Sequence, residues 1–560
     1  MRLPVPYLTV FLLTILWPEK GLTQKAVQGN ISLEYQYYNL SAKGTVPVTQ
    51  RQPASIPALR AFLMLRKGKW QVPMQVYLTR MMPYSVVNFP VEGPKSTQFL
   101  DYIANPVNRL FLAPERGRFS MRLGSFTEPY LQLTGSSQPG LGMALQWKSA
   151  NWMAKSSVQM LNTTIPNTTY NGQNGMWRRM LYGAAFQNHW HVRHMNAETG
   201  LSFLMGDDKT ATLSALPAFR LPQRSLSTGV FNRMTIKKLQ LYGEIVQSYF
   251  SANKLIVGSN FFGLNQVAAK PGYAALLTAQ LNIQKQSLFV TLRRTDKNFK
   301  NLAQPFLPGD LAELLLQHRL STWKNRWIMQ NELAFRGINY SGRNTVLYSK
   351  TPDMSTRQTI SLWNFLQFTA GFRYQPSVTD KPLEPGGRTT TVTQSNLTGI
   401  LTLKRGAVTH KFMPAITQYT MQSVFPGGGK GSSISNGISA GYRIHVKTHE
   451  TGIAWSRFAT KTGISPITAT NLNHTLSLLY RWKPARGKWS VNTIISRLNN
   501  TVNGKARGTK WTTQVQAVWQ FANNWESMAS LFLQSYTYKG TALPASFFET
   551  LARVGITHRI

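Results

Sequence analysis

The residues whose types and spacing could do chemistry are few, and their surroundings argue against most of it. Gly437-Ile438-Ser439-Ala440-Gly441 has the spelling of a nucleophile elbow. An elbow needs a strand, a sharp turn and a helix, whereas this segment runs on into alternating residues. Phe425-Pro426-Gly427-Gly428-Gly429-Lys430-Gly431 is spelled much like a phosphate-binding loop. Gly431 stands where serine or threonine should hold magnesium and no helical pattern follows, so a flexible loop is expected instead. His189, His191 and His194 form the histidine cluster of the chain. On a strand the first two share a face and His194 points away, an awkward set for three-ligand metal binding. Asp207-Asp208 after Gly206 reads as a turn. His445, Asp207 and Asp208 are the residues left for a hydrolase built at a barrel rim. With no cysteine in 560 residues, lipoprotein modification, disulfides, thiolate catalysis and cysteine metal sites are excluded. No cofactor or metal is expected.

The elements that would position these residues begin with an export signal. Arg2 precedes an apolar stretch from Leu3 to Trp17, interrupted by Pro4 and Pro6, and a polar small-residue region follows from Gly21 to Ala26. The stretch falls short of the roughly 20 residues of a spanning helix, so residues 1–23 are expected to be a signal peptide cleaved near Thr23 and Gln24. No later apolar run is long enough to span as a helix, and only closed barrels let strands span lipid.

Period two then recurs along the chain. Ile31, Leu33, Tyr35 and Tyr37 share one face while Ser32, Glu34 and Gln36 share the other. Leu59 to Leu65 alternate with arginines, turn at Lys67-Gly68-Lys69, and resume from Trp70 to Leu78. The same hairpin returns at Leu277 to Leu292 and at Leu476 to Arg497, with tryptophans flanking turns at Trp482, Trp489, Trp519 and Trp525. Strands of roughly 9 to 11 residues with interfacial aromatics favour a transmembrane barrel over a secreted sandwich or propeller. A mean hydropathy slightly below zero fits strands with one lipid face and one polar face.

Short turns such as Lys67 to Lys69 alternate with polar stretches expected to be long loops, at Asn162 to Gly175, Pro376 to Thr391 and Phe425 to Asn436. At roughly 20 to 25 residues per strand with its connection, residues 24–560 supply on the order of 20 to 24 strands, even in number. The expected fold is all-β: a transmembrane antiparallel up-and-down barrel, without a separate plug domain.

Charge is the unusual property. Lysine and arginine number 62 against 20 aspartate and glutamate, a formal +42; removing Arg2, Glu19 and Lys20 with the signal leaves about +41. On the strand through Tyr442, the residues Arg443, His445 and Lys447 share a face that lipid disfavours and should therefore point inward. Arg60, Arg66, Arg293 and Arg481 lie on the polar side of their strands by the same reasoning. A basic lumen would concentrate anions; the same cations placed at rims would instead balance anionic lipid. No nucleic-acid-binding module accompanies them.

The signal peptide, Ile31 to Tyr37, the Leu59 to Leu78 hairpin and the glycine-marked region Arg118 to Trp147 together make the chain resemble outer-membrane β-barrels of Gram-negative bacteria, with a texture similar to uncharacterised barrels of the Bacteroidota. The resemblance implies location in the cell outer membrane and contact with its lipid and lipopolysaccharide; the basic lumen points to porin-like passage of anionic or small polar solutes. A barrel anchoring an envelope protein partner, and a barrel-type hydrolase, are the alternatives.

Overall fold

The alternation from Ile31 to Tyr37 becomes the strand Val27–Lys43, and the paired runs that follow become Ser55–Lys67 and Trp70–Thr79. The computed structural model describes residues 26–43, 54–79, 109–135, 139–162, 178–210, 221–253, 255, 260–261, 264–265, 271–304, 307, 309–339, 348–381, 384–426, 428–464, 467–484, 488–539 and 546–560. The expected signal peptide, and residues 163–175 of the loop expected after Asn162, lie outside them.

Among the described residues one antiparallel sheet of 27 strands dominates, beside a two-stranded hairpin at Asn260–Phe261 and Leu264–Asn265. Arg109–Leu112 and Glu115–Arg116 both lie between Trp70–Thr79 and Phe119–Phe126, so these two share one position and the sheet has 26 positions. The ring closes where Asn30 to Lys43 pair with Arg559 to Ser546. Closure leaves no open edge in the sheet, which is what lipid demands of strands. The count exceeds the expected 20 to 24 because connections at one end shrink to two residues, as between Val192 and Met195 or Ile236 and Leu239. Less chain is therefore spent per strand.

Residues directly opposite each other across strands share a face. Leu33 lies opposite Leu59 and Ile556, and Leu277 opposite Gly243 and Leu292. Leu33, Ile245, Leu277, Leu292, Ile438, Leu478 and Val554 are exposed in large part on this outer face. Aromatics gather beside the short turns: Trp489 stacks on Trp519 at 4.8 Å, Trp363 on Phe365 at 5.3 Å, and Trp525 meets His558 at 4.2 Å. These rings form a belt at the short-turn end of the barrel.

Several short turns place a residue at positive φ. Gly68, Gly117 and Gly406 hold it at 58 to 59°, whereas Arg193, Lys237 and Lys447 hold it at 50 to 52° with a side chain attached. The left-handed region costs an L-residue roughly 1–2 kcal/mol.

Three sequence expectations are corrected. Pro376 to Thr391 is mostly strand, split between Leu366–Lys381 and Glu384–Arg405. Phe425 to Asn436 is strand from Lys430 onward, because Lys430–Val446 has already begun. Asp207-Asp208 belongs to the strand Met195–Lys209 and is no turn. The reason is common to the first two. Glu384–Arg405 is 22 residues long, about twice a bilayer crossing, and its projecting half faces water on both sides, so it is as polar as a loop. Gly437 to Gly441 lies within Lys430–Val446, so the elbow geometry is absent.

The face assignment is tested by a pair of substitutions. Leu277→Arg, on the outer face near mid-strand, should destabilise the barrel by about 2–4 kcal/mol, and Gln280→Arg, on the inner face, by about 1 kcal/mol or less. Urea unfolding in detergent or lipid vesicles reads both; equal losses would contradict the register.

Candidate functional site

The inner faces of Trp152–Asn162, Arg178–Val192, Met195–Lys209, Arg224–Ile236, Leu239–Ser251 and Pro271–Ile283 are unlike those of a water-filled channel. Leu181, Leu204, Phe231, Val246, Ala274 and Leu276 point inward and are buried. What covers them are two connections from the long-loop end. The segment after Phe126 brings Tyr130, Leu131 and Leu133 onto this wall, and the segment after Thr295 brings Phe299 and Ala303. Apolar burial of this kind is worth about 25 cal/mol per Å² and holds the loops inside the barrel.

Glu244 is the polar centre of the arrangement. It projects inward from Leu239–Ser251 and is 2% exposed. Its Oε2 accepts the Gln132 N–H at 3.0 Å and the Tyr242 hydroxyl at 2.7 Å, and its Oε1 accepts the Leu133 N–H at 2.9 Å. A carboxylate so buried is tolerable only when its oxygens are saturated with donors, as these are. The two loops also hold each other. Asn301 Nδ2 donates to the Leu133 carbonyl at 3.2 Å, and Gln304 Nε2 donates to the carbonyls of Gln132 at 2.7 Å and Gly135 at 2.8 Å.

At the other end of the first loop, Glu128 is held by Arg122 at 3.0 Å and Lys155 at 3.3 Å. The Lys155 ammonium lies 4.7 Å from the centre of the Tyr130 ring and also donates to the Pro129 carbonyl. Tyr130 bonds Ser157 at 2.5 Å, and burial pushes its hydroxyl above the usual tyrosine range, so it stays protonated. Two inward glycines receive the loops. A Cβ at Gly183 would fall 2.4 Å from the Tyr130 ring, and one at Gly272 would fall 2.3 Å from the Phe299 nitrogen.

The sequence-selected cations divide by position. Arg60 faces inward opposite Ser32 and Tyr77, paired with Glu34 at 3.2 Å. Arg66 faces inward opposite Gln71. Arg293 pairs with Glu313 at 3.2 Å beside the loop-covered wall. Arg443 and Arg481 share Glu450, at 3.2 and 3.7 Å, and His445 lies directly opposite the same glutamate. Lys447 stands apart from the wall, at the exposed turn between Val446 and His449. Sequence reading missed Glu244, Glu128 and the loops they anchor; the inward run Tyr242, Glu244, Val246, Ser248 is as polar as an open wall and gave no signal of them.

The other chemical candidates are structural. Asp208 accepts from Arg179 at 2.7 Å, and Asp207 is held by Arg224 at 2.9 Å and Lys209 at 2.8 Å, so both carboxylates are engaged where strand ends meet. His189 and His191 share the inner face and His194 lies in the adjoining turn. Among the described residues no group of histidine and carboxylate side chains could hold a metal ion. A depression of about 790 Å³ opens where Gly243, Ala275 and Ala312 stand among Ile245, Leu277 and Leu314. These are outer-face residues, so the depression opens away from the lumen.

No protein-family model matches the chain, and no curated protein matches it. Among solved structures it is similar to OccAB2 of Acinetobacter baumannii, 8% identical over 65% of this chain and 98% of that one at a TM-score of 0.31. It is similar to the siderophore receptor PirA from Pseudomonas aeruginosa, 8% identical over 95% and 80% at 0.35. It is also similar to Wzi of Escherichia coli, an outer-membrane protein involved in group 1 capsule assembly and a carbohydrate-binding β-barrel, 11% identical over 63% and 82% at 0.32.

Removing the Glu244 carboxylate should free the loops while leaving the ring closed. Glu244→Ala is expected to weaken loop docking by about 3 kcal/mol, speeding hydrogen exchange at the Gln132 and Leu133 amides on the order of 100-fold. Amides of Val27–Lys43 should be unchanged; acceleration throughout the sheet would show Glu244 to be part of general barrel stability instead.

Proposed function

We propose that this chain is a passive pore of the Gram-negative outer membrane, passing small polar solutes with a preference for anions. One observation carries the reading. On the inner face of a closed ring, the side chains of Arg60, Arg373, Arg443 and Arg481 remain 53%, 47%, 45% and 57% exposed. Space for water and solute must therefore adjoin them, on the wall that the two anchored loops leave uncovered.

That wall is largely polar, with a few apolar side chains such as Phe458, Leu479 and Ile494 among its inward residues. Its inward residues include Asn396, Thr417, Ser439, Asn473, Ser477 and Asn500, which offer neutral donors and acceptors to a passing solute. Its charge is unbalanced toward cations. Arg373 is offset by Asp353, and Arg443 with Arg481 by Glu450. Arg357, Lys411 and Arg553 also face inward and have no carboxylate partner among the described residues. An uncompensated positive lining lowers the barrier for anions and raises it for cations. The loops on the opposite wall narrow the passage and set the size of what enters.

Single-channel recording of the purified protein in a planar bilayer tests the proposal. Stable steps are expected, with a reversal potential across a potassium chloride gradient signed for anion preference. Lys411→Glu combined with Arg357→Glu should lower the anion-to-cation permeability ratio several-fold. Silence from folded, inserted protein would overturn the pore and favour a barrel that anchors an envelope partner.

A further inference from the structure

The short-turn end carries a ring of cations that neither the closure of the barrel nor the passage employs. Lys69, Arg193, Lys237, Lys285, Lys324 and Lys447 occupy six of its turns, are exposed, and form no ion pair among the described residues. Neither aspartate nor glutamate occurs in the connections 68–69, 117–118, 149–151, 193–194, 237–238, 284–285, 323–326, 364–365, 406–407, 447–448, 483–488 and 523–524. The carboxylates nearest this end, Glu115, Glu450 and Glu526, lie on strands and not in the turns, and Glu450 and Glu526 are engaged by Arg443, Arg481 and Arg559.

Backbone geometry does not account for the cations. Arg193, Lys237, Lys324 and Lys447 have φ of 50 to 55°, a conformation that glycine adopts freely in the equivalent turns at Gly68, Gly117 and Gly406. A charged side chain is kept where conformation favours its removal. Position supplies the other half of the argument. The turns project just past Trp70, Trp190, Trp327, Trp363, Trp489 and Trp525, the outward belt whose rings prefer the headgroup region. The cations are spread around the circumference, so the anion that neutralises them must surround the barrel, as a lipid leaflet does and a single docked protein does not.

We infer that this ring binds the phosphodiester headgroups of anionic phospholipids in the leaflet at the short-turn end. The lipid contact is independent of whether the lumen conducts. Cations held at an anionic surface each gain from it, and the gain falls with salt. The ring thereby fixes the depth of the barrel and gives it a shell of anionic lipid.

Quenching of the tryptophan belt by brominated lipids tests this. In phosphatidylcholine vesicles at about 50 mM salt, brominated phosphatidylglycerol should be preferred over brominated phosphatidylcholine by about fivefold or more, and less so at about 0.5 M salt. The combined variant Arg193→Gly, Lys237→Gly, Lys324→Gly and Lys447→Gly should lose most of that preference with an unfolding midpoint unchanged or raised. If that chain does not fold, Arg193→Asn with Lys237→Asn and Lys447→Asn asks the same question with residues that also tolerate positive φ. Equal quenching by the two lipids in the wild type, or an undiminished preference in a folded variant, would overturn the inference.

Discussion

A strand in lipid has no water to satisfy its backbone, and each unpaired N–H or C=O there costs several kcal/mol. Everything else in this molecule depends on the pairing that removes the last free edge, between Val27–Lys43 and Ser546–Arg559. Gly29 and Ile560 continue that pairing to the end of the chain with reciprocal backbone bonds of 3.3 and 2.9 Å. Closure also creates two unlike surfaces from one alternation, an outer one rich in apolar side chains and an inner one that carries charge.

A ring of this circumference encloses more space than its own side chains fill. The chain resolves this unevenly. Along Trp152–Asn162 to Pro271–Ile283 the inner face is apolar and is covered by loop residues Tyr130, Leu131, Leu133 and Phe299. Around the strands from Tyr348–Trp363 onward hydroxyl, amide and guanidinium groups predominate, with a few apolar side chains such as Phe458 and Leu479 among them. Glu244 links the two regimes, since its carboxylate has the donors it needs only when the Gln132 and Leu133 amides are brought to it. One buried charge therefore sets where the loops stop, and so where open space begins.

The barrel was legible in the sequence because period two and the tryptophans beside turns such as Lys483 to Lys488 are local signals. That Arg60, Arg293, Arg443 and Arg481 lie on the polar side of their strands was readable for the same reason: face parity is counted along a single strand. Strand number was not, because it depends on how far turns contract, and neither was the length of Glu384–Arg405, whose projecting half is solvated on both faces and so loses its alternation. The loop anchor was out of reach by distance. Glu244 and Leu133 are separated by 111 residues, and nothing near either position announces the other. Asp207-Asp208 was misread as a turn because its compensation by Arg179 and Arg224 is likewise made across strands.

The central claim is that the interior is divided into a wall sealed by anchored loops and a wall open to water. The chain has no cysteine, so single cysteines can be placed on either wall and challenged with a charged, membrane-impermeant thiol reagent. Ser439→Cys and Ser477→Cys on the open wall should react readily, whereas Val246→Cys and Ala274→Cys beneath the loops should be protected until Glu244 is also replaced by alanine. Equal reactivity on both walls, or protection that survives loss of Glu244, would contradict it.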